Sequence, residues 1–405
     1  MGLVDECGVN ERRNERRRRR GAGGVLGRLS LLLSLVGIGF VVVFVGSRVV
    51  TDRFGWSQWV WWVPAMWWVV VVWGVWVLTR VVGWWSIRRG GRYGKKAMLR
   101  RVLFFGCVGV SVFVVVGVQR WHRVVWGDGL EDRAAGAVRV AHWNIAGAVV
   151  DEDAAIGLLN SLDVDVVLLS NARWDGQQGV LLEGLDVGGG DDGRVVKLGR
   201  AIVVSRLDVS AASLVYVRGD ADDGEGMRES GDFGWVCRMK IGGDGARGLV
   251  VWLVDLPSEP TVHRGVMMDR VVEAVRDDRG QLRVFGEDGV MRFEANDGRL
   301  DAPGLIVGDF NTPRGSWSLG KFDVFGGGDG FADAFEGVGY GFGRSWVPGV
   351  DGWWRRAAVG IAGWHIDLSL VGNGWEATGY GLFGEGLDGD AIGGAHRIQI
   401  VDLSR

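Results

Sequence analysis

The sequence contains only three cysteines, and they lie far apart at Cys7, Cys107 and Cys237. They fall in a polar tail, an apolar run and the main domain, so neither a disulfide framework nor a zinc cluster is expected. The later chain also lacks a basic surplus, because Arg and Lys are concentrated in the first 101 residues and Asp in the remainder of the chain. That balance argues against non-specific binding of nucleic acid, which requires a basic surface. The 70 glycines follow no collagen-like period and indicate many loops.

Charge is absent from long stretches of the first 119 residues. Three apolar runs predict transmembrane helices at about 29–46, 54–79 and 102–119, each long enough to cross a bilayer. The first run lacks a small-residue cleavage site and further runs follow it, so a removed signal peptide is not expected. The second run contains eight tryptophans, which suit lipid contact and packing or, alternatively, a cofactor site. We expect Pro64 to kink this run.

Basic residues flank the three runs unequally, and this asymmetry predicts the orientation of the chain. The N-terminal tail, 1–24, contains five consecutive arginines at 16–20. The loop 80–101 contains eight Arg and Lys residues, whereas the loop before the second run contains only Arg48 and Arg53. Because loops rich in Arg and Lys stay in the cytoplasm, the basic tail and the second loop are expected inside.

The chain after the third run is therefore expected to lie outside the cytoplasm. It comprises a linker at 120–137 and a domain at 138–405. A lone Cys237 suits an oxidising compartment, since the domain offers it no partner. The sequence thus predicts a multi-pass protein of the cell membrane, with the lipid bilayer as a partner and an extracytoplasmic C-terminal domain.

From Val138 onward, short apolar runs replace the long ones. Runs at 138–141, 164–169 and 305–307 predict buried strands, and 264–276 has the spacing of a helix. Many strands with few helices predict an α/β fold, in which two packed mixed β-sheets are flanked by helices. The three predicted transmembrane helices precede this domain.

Polar side chains follow several of the predicted strands, and a histidine precedes the last one. They are Asn144, Asn171, Asp309, Asn311, Asp367 and His396. An Asp-x-Asn pair at a strand end can hold a metal, a phosphate oxygen or a water, although both residues are also common turn formers. Carboxylate and amide oxygens at one rim suit a hard divalent cation. A nearby histidine can stabilise charge on a phosphoryl group.

The order of these motifs resembles that of the endonuclease/exonuclease/phosphatase family, from about Val138 to Arg405. The likeness rests on Trp143-Asn144-Ile145, the strand 163–169, Gly308-Asp309-Phe310-Asn311, Ser345-Trp346, His365-Ile366-Asp367 and His396-Arg397. It implies a DNase I-like four-layer sandwich that hydrolyses phosphoesters with one Mg²⁺ or Mn²⁺ ion. It also implies that Asp309 activates water, Asn311 orients phosphate, Asn144 helps to bind the metal and Asp367 orients His396.

Three positions depart from the family pattern. Asn171 stands where a metal-binding glutamate is expected, so metal affinity should fall because an amide carries no charge. Asp255 stands where a histidine would contact the scissile phosphate, and Ala395 replaces the aspartate of the final motif. Asp255 is nevertheless a candidate catalytic residue, since it could supply the carboxylate that is lost elsewhere. Arg264, at a predicted helix start after the Asp255 loop, is a candidate phosphate ligand.

Several functions are compatible with this pattern. The first is a membrane-anchored, metal-dependent phosphodiesterase, phosphatase or nuclease that acts outside the cytoplasm on a lipid headgroup, a nucleotide or DNA. The second is a catalytically degenerate domain of the same fold that serves as a binding or scaffold module. A third is that the tryptophan-rich spans carry the function and the domain regulates them. Restoring Glu, His and Asp at the three departures would create activity only in a degenerate domain.

Overall fold

A computed structural model describes most of the chain. The described residues are 3–89, 96–120, 130, 133–145, 152–172, 184–186, 194–218, 232–242, 248–259, 261–278, 281–285, 291–295, 297–339, 343–346, 363–383 and 396–405. They form two compact units. The first comprises Met1–Val50 and Val63–Val118, and the second comprises Thr51–Trp62 and Gln119–Arg405.

Long apolar helices form the first unit. They are α1 (Leu3–Val50), α3 (Ala65–Arg88) and α4 (Lys96–Val112), which continues into a π-helical turn at Phe113–Val118; a short helix α2 (Gly55–Trp61) belongs to the second unit. Within the described residues, three stretches are long and apolar enough to cross a membrane: Gly21–Val50, Ala65–Arg88 and Ala97–Val118. A few hydrogen bonds join these helices, such as that from Arg100 Nη2 to Ser30 Oγ at 2.7 Å.

The predicted second span, 54–79, consists of two separate helices in the structure. Helix α2 ends at Trp61, and Pro64 is the N-cap residue of α3. Proline has no N–H and disfavours a helical conformation in the residue before it, so one helix cannot continue through this point. The residues before Pro64 are therefore free to fold with the C-terminal domain. At the other end of the helical region, the predicted tail is continuous with α1, and most of the predicted linker at 120–137 lies outside the described residues.

Fourteen strands occur in the described part of the second unit. They are β1 (Val138–Asn144), β2 (Val166–Ser170), β3 (Arg194–Leu198), β4 (Ala201–Ser205), β5 (Val209–Arg218), β6 (Asp232–Ile241), β7 (Leu249–Asp255), β8 (Gln281–Phe285), β9 (Met291–Ala295), β10 (Leu305–Asp309), β11 (Phe331–Asp333), β12 (Asp367–Gly372), β13 (Glu376–Phe383) and β14 (Ile398–Ser404). One sheet has the order β13-β14-β1-β2-β4-β3, and the other has the order β11-β12-β10-β7-β6-β5-β8-β9. Both sheets are mixed, because β1 pairs with β2 and β7 pairs with β10 in parallel, while the remaining pairs are antiparallel.

Alternating side chains distribute the strands' apolar residues over three cores. On β1, Val140 packs between the two sheets, whereas Ala141 and Trp143 pack on the outer side. Helix α5 (Glu152–Ser161) covers the outer face of the six-stranded sheet. Helix α6 (Arg264–Asp277) and a 3₁₀ helix (Trp317–Phe325) cover the outer face of the eight-stranded sheet. A short helix α7 (Ala334–Val338) packs on β13 and into the core between the sheets. Helix, sheet, sheet and helix form four layers, as period-two burial on each strand requires. The predicted four-layer α/β sandwich is confirmed.

Candidate functional site

A row of three aspartates crosses the end of the eight-stranded sheet. Asp309 on β10 pairs directly with Asp255 on β7 and with Asp367 on β12. Directly paired residues of neighbouring strands place their side chains on the same face, about 5 Å apart at Cβ. The three are only 8 %, 2 % and 0 % exposed, in the order Asp255, Asp309, Asp367. Strand register thus concentrates three acids in a nearly dry place.

Two glycines allow the strands to close around Asp255. Gly308 has a φ of +147°, and a Cβ there would lie 1.9 Å from Val254 O. Gly234 has a φ of +103°, and a Cβ there would lie 2.2 Å from Asp255 O. No L side chain fits either position, so close approach of β6 and β10 to the end of β7 depends on glycine.

Two asparagines of the six-stranded sheet face the acids from the opposite side. Asn144, at the end of β1, donates from Nδ2 to Asp309 Oδ2 at 2.8 Å. Asn171 donates from Nδ2 to Asn144 Oδ1 at 3.1 Å. Asn171 has a φ of +55°, a conformation that asparagine tolerates better than most residues. Amide groups therefore connect the ends of the two sheets across the site.

His396 and Asp367 form a hydrogen-bonded pair beside Asp309. The histidine Nδ1 lies 3.0 Å and 3.2 Å from the two carboxylate oxygens of Asp367, and its Nε2 lies 3.8 Å from Asp309 Oδ2. Ser345 supports the start of β12, since its Oγ accepts hydrogen bonds from the N–H groups of Ile366 and Asp367. The contact that an orienting role of Asp367 requires is present, and the role itself stays a prediction.

Asn311 takes part in a local turn and also lines the cavity, so both interpretations of the Asp-x-Asn pair apply. Its backbone N–H donates to Asp309 Oδ1 at 2.9 Å, which is the local contact of an Asx turn. Its Nδ2 donates to Leu256 O at 2.6 Å and so fixes the loop after β7. Because Asp309 uses Oδ1 for this turn and Oδ2 for Asn144, the turn does not remove its carboxylate from the site.

Burial and mutual repulsion set the electrostatics of the cluster. Burial raises the pKa of Asp255 to about 7, and the charge of Asp367 adds to that effect. Burial, followed by the charge of Asp367, raises the pKa of Asp309 well above its usual value. Burial lowers the pKa of His396, but the charge and hydrogen bond of Asp367 outweigh it and raise that pKa to about 9. A protonated histidine therefore faces several acids. Their ionised forms are poorly solvated and repel one another.

The donor chemistry of this cluster fits a divalent cation. Asp309, Asp367 and His396 each offer a ligand atom, and these atoms lie within 4.8 Å of one another. The amide oxygens of Asn144 and Asn171 and the carboxylate of Asp255 add further oxygen donors. Hard cations such as Mg²⁺ and Mn²⁺ prefer oxygen ligands, and a cation would offset the buried negative charge.

A cavity of about 580 Å³ opens on the cluster. Its lining includes Asn144, Asn171, Asp255, Asp309, Asn311 and His396. Six of the eight predicted site residues therefore line a single cavity, and Asp367 lies behind His396. The volume is in the range of small-molecule sites.

Arg264 does not line this cavity, contrary to its predicted contact with phosphate. Its guanidinium is fully buried and donates to the carbonyl oxygens of Pro257 at 2.9 Å and Glu259 at 3.1 Å. Burial is the main cause that lowers its pKa to about 10. The side chain folds back over the loop after β7 because that loop offers carbonyl oxygens at the start of α6. Of the three departures from the family pattern, Ala395 lies outside the described residues.

Trp62, Arg200 and Trp364 are among the lining residues that were not predicted as site residues. Arg200 follows β3 in an exposed turn, and no local pattern distinguishes it from other surface arginines. Trp62 was assigned to a membrane span because the run around it has no charge. Its neighbours Gln58 and Pro64 were the available signal that this part of the run differs from a span.

Comparison with known proteins identifies the family of the domain. Residues 141–390, more than half of the chain, match the model of the Endonuclease/Exonuclease/phosphatase family. A search of curated proteins finds no match.

Solved structures with a similar fold share little sequence with this chain. An endonuclease/exonuclease/phosphatase from Bacteroides vulgatus is 17% identical, with a TM-score of 0.42, over 66% of this chain and 98% of that one. A family protein from Leptotrichia buccalis is 13% identical, with a TM-score of 0.44, over 66% of this chain and 100% of its own. The human Nocturnin catalytic domain with bound sulfate is 10% identical, with a TM-score of 0.42, over 66% and 93% respectively.

Proposed function

This chain belongs to the endonuclease/exonuclease/phosphatase family, and we propose that it is a membrane-anchored phosphoester hydrolase that requires a divalent metal and acts outside the cytoplasm. Members of this family are generally hydrolases of phosphoesters, and the fold is consistent with that activity. One observation carries the proposal: acids, amides and a histidine from both sheets line one cavity, although they are spread over more than 250 positions of the chain.

The chain's own residues would divide the reaction between them. Asp309 would polarise the attacking water, since its carboxylate lies at the centre of the cluster. Asn311 and Asn144 would orient phosphate and water. His396, held by Asp367, would be protonated and would stabilise the negative charge that develops on the phosphoryl oxygens.

The metal would be held on the amide side of the cavity. Asn144, Asn171 and Asp255 provide oxygen donors there. Asp309 lies next to them, since its carboxylate accepts a hydrogen bond from Asn144. A bound Mg²⁺ or Mn²⁺ ion would supply positive charge for a phosphoryl oxygen.

The position of Asp255 supports activity over the alternative of a degenerate binding module. The family pattern expects the negative charge at 171, where this chain has an amide. Asp255 lines the same cavity as that amide, so a carboxylate is present at the site, although the other sheet provides it. The exchange conserves the charge of the donor set while changing which strand provides it.

The second compact unit also supports the proposed topology. Thr51–Trp62 folds together with Gln119–Arg405, so both must lie on the same side of any membrane that the neighbouring helices cross. The two candidate spans between them return the chain to its starting side. Since the loop around residue 88 is basic, that shared side is expected to be outside the cytoplasm. An alkaline phosphatase fused after Arg405 should therefore be active, whereas a fusion within 90–95 should be inactive.

Hydrolysis of bis-p-nitrophenyl phosphate tests the activity. The full chain, purified in detergent or nanodiscs, is assayed with Mg²⁺ or Mn²⁺ beside the isosteric variant Asp309→Asn. We expect nitrophenolate release that depends on the metal and on Asp309. A wild-type rate no higher than that of the variant would favour the binding-module alternative, and the triple change Asn171→Glu, Asp255→His and Ala395→Asp would then be expected to create activity.

A further inference from the structure

The segment Thr51–Trp62, hereafter the inter-helix segment, lies in sequence between two candidate membrane spans. In the structure it belongs to the unit that contains the β-sandwich. Four of its polar or aromatic residues are nearly fully buried there: Asp52, Ser57, Gln58 and Trp61. Burial of this kind in a twelve-residue connection requires specific partners, and the structure provides them.

Asp52 caps the 3₁₀ helix Trp317–Phe325. The local N-cap residue, Ser316, makes no side-chain capping bond. Instead the Ser318 N–H donates to Asp52 Oδ1 at 3.2 Å, and the Ser318 hydroxyl donates to the second carboxylate oxygen. The Trp317 N–H donates to Thr51 Oγ1 at 3.3 Å. The free N–H groups of a helix start favour an acidic acceptor, so Asp52 is a stabilising partner.

Gln58 caps the longer helix α6 in the same way. His263, the N-cap residue of α6, makes no side-chain capping bond. The Arg264 N–H donates to Gln58 Oε1 at 2.8 Å, and Gln58 Nε2 donates to Val262 O at 3.0 Å. One amide thus satisfies a donor and an acceptor at the same helix start. The inter-helix segment therefore supplies the caps that two helices of the sandwich lack.

Two further contacts carry the end of the segment to the cavity. Trp61 Nε1 donates to Ser316 Oγ at 2.8 Å, and Trp364 Nε1 donates to Trp62 O at 2.6 Å. The Arg264 guanidinium lies 4.8 Å from the centre of the Trp62 ring. The ring face therefore adds to the carbonyl oxygens of Pro257 and Glu259 in stabilising the charge of this buried arginine. Trp62 is thereby held at the cavity wall.

We propose that the inter-helix segment is a part of the catalytic domain and that Trp62 is a specificity-determining residue, which contacts a flat aromatic group of the phosphoester substrate. Trp62 shares the cavity lining with Trp346 and Trp364, whose ring centres are 5.4 Å apart. Trp346 lies 6.4 Å from the ring of His396, so the tryptophan surface begins beside the reacting end of the cavity. Aromatic side chains stack on flat conjugated groups, and this stacking depends little on which hydrogen-bonding groups the ligand has. This specificity rests on the proposed hydrolase function, whereas the docking of the segment does not.

Two esters with the same leaving group test the specificity. Thymidine 5′-(p-nitrophenyl phosphate) retains an aromatic base after cleavage, whereas p-nitrophenyl phosphorylcholine retains an aliphatic group. In the full chain, Trp62→Ala should lower kcat/KM for the thymidine ester about tenfold, through KM, and change that for the choline ester less than about twofold. Trp62→Phe should retain most of the preference. The control is Trp59→Ala in helix α2, three residues before Trp62. Since Trp59 is 54 % exposed, this variant should change kcat/KM for neither ester.

An equal loss on both esters in Trp62→Ala, or an equal loss in Trp59→Ala, would overturn the specificity role. If the wild-type chain hydrolyses neither ester, the proposed function fails, and hydrogen exchange still tests the docking. We expect slow exchange of the amides of Ser57–Trp62 in the full chain. We also expect that Gln58→Ala, but not Trp59→Ala, accelerates exchange at least tenfold at Arg264–Met267. Fast exchange of the segment in the wild-type protein, or no effect of Gln58→Ala, would overturn the docking.

Discussion

The cavity has two unlike walls, and they are built in different ways. On the acid wall, Asp255, Asp309 and Asp367 stand in one row because the backbones of three neighbouring strands are paired. On the tryptophan wall, Trp62 and Trp364 come from segments about 300 positions apart, and the Trp364 side chain donates a hydrogen bond to Trp62 O. Strand register therefore positions the charged groups, whereas side-chain contacts position the aromatic ones.

This difference predicts how each wall responds to change. A residue in a paired row keeps its place when its side chain is replaced by an isostere, because the backbone hydrogen bonds remain. Substitutions on the acid wall should thus remove chemistry without unfolding the domain. Substitutions on the tryptophan wall should alter which substrate is preferred, since these residues are held by a hydrogen bond and ring contacts among themselves and not by the paired strands of the acid row.

The largest effect is expected from Asp309→Asn. The amide keeps the size of the carboxylate but cannot polarise water, so kcat should fall by about 10³-fold. Steady-state hydrolysis with the metal at saturation measures the loss, and a thermal melt close to that of the wild type shows that the fold is retained. A variant that keeps more than a tenth of the wild-type rate would contradict the assignment of Asp309.

A smaller loss is expected from Asp367→Asn. His396 keeps a hydrogen-bond acceptor but loses the negative charge that stabilises its protonated form, so kcat should fall about 10²-fold with little change in KM. Ser369→Ala is the matched control, because Ser369 lies on the same strand face two residues further along and bonds Gln399 instead. An equal loss in both variants would show that the strand, and not the carboxylate, is the cause.

The affinity for metal offers an intermediate effect that sharpens the comparison of the walls. Asn171→Glu adds a charge that faces the acid wall and should lower the Mg²⁺ concentration for half-maximal activity about tenfold. Trp62→Ala, on the opposite wall, should leave that concentration unchanged. Metal titrations of the two variants measure both, and a shift of similar size in Trp62→Ala would mean that the walls are not independent.

The smallest effect is expected at Arg200, the exposed cation of the cavity. Exposed charge pairs contribute at most about 1 kcal/mol, so Arg200→Ala should raise KM no more than about fivefold and leave kcat unchanged. The rise should be lost at high salt, where exposed charges are screened. Arg283→Ala, on the more distant strand β8, provides the control. A large fall in kcat for Arg200→Ala would place this arginine among the reacting groups.

Much of the acid wall was predictable from the chain alone. Asp309 and Asn311 follow a short apolar run, and alternation along such a run determines which face each side chain takes. The order of Asn144, Asp309, Asp367 and His396 along the chain resembles a family pattern, and the family model that matches residues 141–390 confirms the family. Arg264 was assigned to phosphate on its position after the Asp255 loop. Its place in the sequence does not show that the guanidinium hydrogen-bonds nearby carbonyl oxygens and lies over the ring of Trp62.

Local periodicity and residue type were enough to predict several buried strands, the long apolar helices and the identity of the acids. Tertiary structure alone decided where the residues before Pro64 fold. Composition could not separate Trp62 from the tryptophans of a membrane span, since both lie in one uncharged run. The starts of α6 and of the 3₁₀ helix, more than 200 positions away, have no side-chain caps of their own. Their free N–H groups donate to Gln58 and Asp52, and these hydrogen bonds hold the segment on the sandwich.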